Sequence, residues 1–136
     1  MGYVSKDEQI LVKIAKYISM LKDAYSQIKN LPDDEINDSL NGLALTQCIT
    51  NLYELTIRIE DENVSDKLFF LSSGRVARLR NISAHDYDSV NWNIVKEVCR
   101  KIISQISQDL LNECLETLAQ NKSQIKDYTD SLGKKE

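Results

Sequence analysis

Thirteen consecutive positions, "RVARLRNISAHDY" from Arg75 to Tyr87, hold three arginines, the chain's only histidine and a phenol. Between Asp66 and Asp86 there is no acidic residue, while Lys67, Arg75, Arg78 and Arg80 all fall in that window. A chain that is negative overall has made one segment locally positive. Arginine suits a phosphate because its planar fork donates two parallel charge-assisted hydrogen bonds. His85 is the one side chain here whose ordinary pKa lies near neutrality, which makes it the natural acid-base group. Arg80 to hold a phosphate and His85 to move a proton suffice to cleave RNA without a metal. The 2'-hydroxyl would be the nucleophile and a cyclic phosphate the product.

Such a transesterification wants a base at the 2'-oxygen and an acid at the leaving 5'-oxygen, on opposite sides of the phosphorus. One histidine cannot stand on both sides. A symmetric dimer that brings two copies of the segment together would supply the second. Positions five apart on an ideal helix lie about 140° apart around its axis. Arg80 and His85 therefore converge only if Arg80 reaches round or the helix loosens near Asn81 to Ala84. The same residues also fit plainer roles. An arginine near a helix C-terminus complements the dipole, a single histidine is often merely solvated, and Tyr87 and Trp92 suit a core.

The segment needs a scaffold, and the rest of the chain reads as helices. Ile10, Ile14, Tyr17, Ile18, Leu21, Tyr25 and Ile28 recur in steps of three and four, one stripe on a helix from Ser5 to about Lys29. Pro32 breaks it, and Asp33 or Asp34 can cap the next helix. A second stripe runs Ile36, Leu40, Leu43, Ala44, Cys48, Leu52, Leu55, Ile59. Asn63 or Ser65 could cap a third helix, "VSDKLFFLSSGRVARLRNIS", which Gly74 weakens by about 1 kcal/mol relative to Ala. The longest stripe is Val90, Ile94, Val95, Val98, Ile102, Ile106, Leu110, Cys114 and Leu118. No strand pattern and no internal repeat stand out. The expected fold is all-α, an antiparallel up-down four-helix bundle over residues 1–120, with a frayed polar tail at 121–136. Ile103, Leu111 and Leu115 lie off the last helix's main face; they either pack on the tail or form a second apolar face that a two-fold partner would cover.

Composition sets outer bounds. At 136 residues with 42% hydrophobic and 28% charged residues, the chain has the makings of one soluble domain. A net charge of −4 argues against a general nucleic-acid coat protein, and no DNA partner is expected, but a local basic site is compatible with it. Cys48, Cys99 and Cys114 form no metal-ligand pattern and sit in apolar helical stripes, so buried free thiols in a reducing cytoplasm are expected. No apolar run approaches the roughly 20 residues that cross a bilayer. No cofactor and no metal site are expected.

"RNISAHDY" resembles the R-x-x-x-x-H-x-Y signature of the HepT-like toxins, a minimal branch of the HEPN superfamily, with Arg80, His85 and Tyr87 at its defining positions. Upstream, "ALTQCITNLYELTIRI" resembles the family's second long helix, with Glu54 where a glutamate often occurs and Tyr53 in place of the usual glycine. Downstream, "DYDSVNWNIV" is similar to the stretch leading to the tryptophan that opens the last helix, here Trp92. The likeness covers roughly residues 8 to 118. It implies a homodimeric four-helix protein acting as a metal-independent endoribonuclease toxin with a composite site across the dimer cleft. It further implies a nucleotidyltransferase antitoxin of the MntA type, which places AMP on the motif tyrosine. Carried over, Arg80 would bind and polarise the phosphate, His85 would be the general acid-base group and Tyr87 the AMP acceptor. Asn81 would bind substrate or cap the helix, and Arg75 and Arg78 would steer RNA or form a solvated face. The alternative is a non-catalytic HEPN partner of a nucleotidyltransferase that binds nucleotide or substrate in the groove.

Overall fold

The computed structural model describes residues 5–85 and 89–133, with side chains described for residues 5–82 and 89–121. Its regular structure among these residues is entirely helical. Helix α1 (Lys6–Ile28) begins where the Ser5 hydroxyl accepts the Glu8 N–H at 3.2 Å, and Asp7 and Glu8 lie in the first turn, where the helix dipole favours negative charge. It buries Ile10, Leu11, Ile14, Ile18, Leu21, Ala24 and Ile28, the stripe expected from the sequence with Leu11 and Ala24 added; Tyr17 and Tyr25 are half-buried beside it.

The second stripe is divided. A short α2 (Asp33–Asn37) starts at Pro32, which makes no side-chain cap, so neither Asp33 nor Asp34 is the cap; both lie in the first turn with Glu35. Ser39 then turns extended and caps α3 (Leu40–Thr56), accepting the Gly42 N–H at 2.9 Å while donating to the Ile36 carbonyl at 2.8 Å. A serine that satisfies both helix ends makes a break there more favourable than one continuous helix. The break leaves Leu40 and Leu43, expected in the core, facing outward at 85% and 54% exposure. Gly42 makes this corner possible: a Cβ there would stand 2.5 Å from the Ile36 carbonyl oxygen.

The third segment is likewise not one helix. Asp61, rather than Asn63 or Ser65, caps α4 (Glu62–Lys67) by accepting the Val64 N–H at 3.0 Å. A 3₁₀ turn (Phe69–Ser72) and an extended Ser73 come next, and α5 (Gly74–His85) starts anew, so Gly74 opens a helix rather than weakening the middle of one. Asn91 caps α6 (Trp92–Gln105), its Oδ1 accepting the Asn93 N–H at 3.0 Å. The longest expected helix stops at Ile106. The Ser107 hydroxyl accepts the Leu110 N–H at 3.1 Å, and α7 (Gln108–Gly133) restarts and continues past the end of the apolar stripe.

This restart changes which face of the last helix is apolar. Leu111, expected off the main face, is buried at 3% exposure, while Leu110, expected on it, is half-buried. Ile103 and Leu115 also pack against the chain's own core, so these residues do not form a surplus apolar face for a partner. Helix α1 is the centre of the packing and touches α3, α6 and α7; α3 meets α5 and the 3₁₀ turn, α4 meets α7, and α5 meets α6.

Three polar ties join elements of the bundle. The carboxylate of Asp7, only 7% exposed, accepts the backbone N–H of Glu60 at 3.0 Å and of Asp61 at 2.9 Å, binding the start of α1 to the end of the α3–α4 connection. Asp61 in turn accepts from the Asn121 side chain of α7 at 2.6 Å. Trp92, buried as a core anchor, donates its indole N–H to the Asn37 side-chain oxygen and so joins α6 to α2. Among the described residues no helix is long and apolar enough to cross a membrane.

Candidate functional site

Helix α5 lies on the core through Val76 and Leu79, both buried, with Ile82 half-buried on the next turn. Those three positions recur at helical spacing and set the direction of every arginine on the helix. Arg80 leaves toward α3. Its Nη2 donates to Glu54 Oε1 at 3.0 Å, its Nη1 donates to Asn81 Oδ1 at 3.3 Å, and its guanidinium carbon lies 5.6 Å from the centre of the Tyr53 ring. The ion pair is about half exposed on each side, so its contribution to stability is about 0–1 kcal/mol. Its consequence is directional. A carboxylate on one edge and an aromatic face below leave a flexible side chain with a defined orientation.

Glu54 and Tyr53 thus act together. Tyr53 supplies a ring over which Arg80 lies, and Glu54 supplies the counter-charge. Asn81 stands inside α5, four residues before its end, so it does not cap the helix; it is a hydrogen-bond acceptor for Arg80.

Arg75 and Arg78 leave from the other flank. They line a cavity of about 460 Å³ between α5 and α6 together with Leu79, Ile82, Ile94 and Glu97. Arg75 donates to Glu97 at 3.0 Å, and Lys101 stands 3.7 Å from the same carboxylate. The structure therefore brings Asn81 to Arg80 and directs Arg75 and Arg78 elsewhere.

Helix α5 is continuous to His85, its last residue. Loosening between Asn81 and Ala84 does not occur, and the Cα positions of Arg80 and His85 are set about 140° apart around the axis. The side chain of His85 and the whole of Tyr87 lie outside the described residues.

A second cavity, of about 580 Å³, opens on the Arg80 side. Lys13, Lys16 and Tyr17 of α1, Asn51, Glu54 and Leu55 of α3, Ile57 and Arg58 just beyond α3, and Arg80 line it. Sequence reasoning passed over Lys13, Lys16 and Arg58, which are far from the motif along the chain. The available signal was Lys13 and Lys16 three residues apart beside the α1 stripe, hence on one side of that helix.

The three thiols are buried and free. Burial, with Cys48 nearby, pushes Cys99 up to about 12, and burial also raises Cys48 and Cys114. A thiol held protonated is a poor nucleophile, so burial argues against the cysteines as reactive groups.

Searches of curated proteins and of solved structures each gave no match. The family model described as "Ribonuclease HepT-like" matches residues 14–113, from the middle of α1 into α7, and so includes α3, α5 and both residues of the Arg80–Glu54 pair. The match covers well over half of the sequence, and the chain belongs to the ribonuclease HepT-like family.

Proposed function

We propose that this protein is the RNA-cleaving toxin of a toxin–antitoxin pair and works in the cytoplasm as a homodimer of four-helix HEPN bundles. Residues 1–120 form the domain, and the polar residues 121–136 extend from it. The observation that carries this reading is the held Arg80: a guanidinium oriented by Glu54 and Tyr53 on the helix that closes at His85. Arg80 binds the scissile phosphate through charge-assisted hydrogen bonds and stabilises charge developing on its oxygens. His85 of one copy takes the proton of the 2'-hydroxyl, and His85 of the other gives a proton to the departing 5'-oxygen. Asn81 assists at the substrate, and Arg75 and Arg78 steer RNA at longer range.

Silencing follows from charge. A nucleotidyltransferase antitoxin of the MntA type transfers AMP from ATP to the Tyr87 hydroxyl, and the added phosphate and bulk repel RNA from Arg80. The deciding experiment is cleavage of RNA by purified protein in EDTA. The expected products end in a 2',3'-cyclic phosphate, and Arg80→Ala and His85→Ala each abolish cleavage. Full activity in both variants would overturn the assignment.

A further inference from the structure

The cavity between α1 and α3 carries four cations, Lys13, Lys16, Arg58 and Arg80, against one carboxylate, Glu54. In a chain whose net charge is −4, this is a concentration of the minority sign. Several exposed cations elsewhere are matched: Lys6 pairs with Glu60, and Arg75 and Lys101 share Glu97. Lys13, Lys16 and Arg58 are exposed and take part in no ion pair among the described residues. With Glu54 paired to Arg80, the other three cations share the concavity without a paired carboxylate and repel one another, and a polyanion that enters relieves that repulsion.

The shape suits a strand better than a lone phosphate. Along α3 and its exit the lining residues are Asn51, Glu54, Leu55, Ile57 and Arg58, a run of about 10 Å at helical rise. The half-buried Tyr17 adds an aromatic ring to the wall, and single-stranded nucleic acid is held by such a combination of basic groove and stacking ring. Arg80 belongs both to this groove and to the candidate active site, so the two are continuous.

We infer that the Lys13–Lys16–Arg58 groove binds single-stranded RNA next to the scissile phosphate and guides it to Arg80. This rests on the ribonuclease reading for its purpose but not for its test. The probe is a fluorescent 2'-O-methyl RNA oligonucleotide, which lacks the nucleophile and cannot be cut, so binding is read by anisotropy independently of catalysis. Lys13→Glu/Lys16→Glu weakens binding at least tenfold and lowers the salt slope by about 0.7 for each phosphate that is no longer neutralised. Lys22→Glu/Lys29→Glu, an equal charge change elsewhere on the chain, leaves affinity within twofold. On cleavable RNA the first variant raises KM and leaves kcat nearly unchanged. Equal loss in both double variants, unchanged affinity in Lys13→Glu/Lys16→Glu, or no binding by the unaltered protein each overturns the groove. Groove-dependent binding by a protein that never cuts RNA supports the groove and removes the ribonuclease reading instead.

Discussion

Arg80 of α5 donates to Glu54 of α3 at 3.0 Å, and the two residues, 26 positions apart in sequence, share the wall of one basic groove. A half-exposed pair of this kind adds little to stability, yet it decides where a guanidinium points. Glu54→Ala is therefore expected to lower kcat/KM for RNA about tenfold, a loss of about 1.4 kcal/mol in transition-state binding, with the urea midpoint nearly unchanged. Glu54→Gln, which keeps an acceptor oxygen, recovers part of the rate. Activity lost only in proportion to folded protein would mark the pair as structural.

The Asp7 clamp makes the opposite prediction. Its carboxylate holds two backbone N–H groups in a nearly buried position, and removing it orphans both donors. Asp7→Ala should cost about 3 kcal/mol, the order expected for hydrogen bonds to a charged group. Lys6→Ala breaks only the exposed Lys6–Glu60 pair and should cost less than about 0.5 kcal/mol. Denaturant unfolding of the two variants side by side measures the difference. Similar small losses in both would show that the clamp is dispensable.

On α3 the apolar stripe found Cys48, Leu52 and Leu55 but missed Leu45 and Ile49, whereas α1 and most of the buried face of α6 were legible, because a single stripe at helical spacing has one stable solution. The breaks at Ser39, Ser73 and Ser107 were not. At Ser39 and Ser107 the serine hydroxyl accepts an N–H at the start of the next helix, and a serine in a sequence looks the same in mid-helix as at a cap. At the candidate site the motif was legible as local chemistry. Its orientation was not, because it depends on Glu54 and Tyr53 across a helix interface. Lys13, Lys16 and Arg58 were hidden for the same reason, since a groove is a property of packing and not of spacing along one segment.

Two glycines test the corner geometry. A methyl at Gly42 meets the Ile36 carbonyl oxygen, a backbone atom that moves only if α2 moves. Nothing stands within 4 Å of a methyl at Gly74, whose φ is negative. Gly42→Ala should lower stability by about 1–3 kcal/mol through overpacking, whereas Gly74→Ala should raise it by up to about 1 kcal/mol by reducing the freedom of the unfolded chain. Thermal melts of both variants decide the point, and a destabilised Gly74→Ala would contradict the open space around α5's first residue.

Burial of the thiols gives stability a pH dependence of definite sign. Below the ordinary thiol value of 9.0 the folded and unfolded chains both keep the Cys99 proton, and its contribution is complete. Above it the unfolded chain ionises while the folded chain, with Cys99 at about 12, does not. The unfolded state then binds fewer protons, so stability falls as pH rises from about 9 toward 12. The urea midpoint of the unaltered protein should drop more steeply between about pH 8 and about pH 10.5 than that of Cys99→Ala. Parallel slopes would remove Cys99 as the cause.

Tyr87 is the proposed point of control, and the groove gives the control a physical reading. Incubation with an MntA-type nucleotidyltransferase and ATP should add AMP mass to the unaltered protein and none to Tyr87→Phe. AMP on Tyr87 would add negative charge to a protein whose Arg80 groove is lined by four cations. Modified protein should therefore lose affinity for the uncleavable 2'-O-methyl RNA as well as activity, and raising the salt concentration should narrow the affinity gap because the repulsion is screened. AMP mass on Tyr87→Phe would move the acceptor to another residue. Full RNA affinity after modification would mean that silencing acts on the chemical step alone, with the strand still bound along α1 and α3.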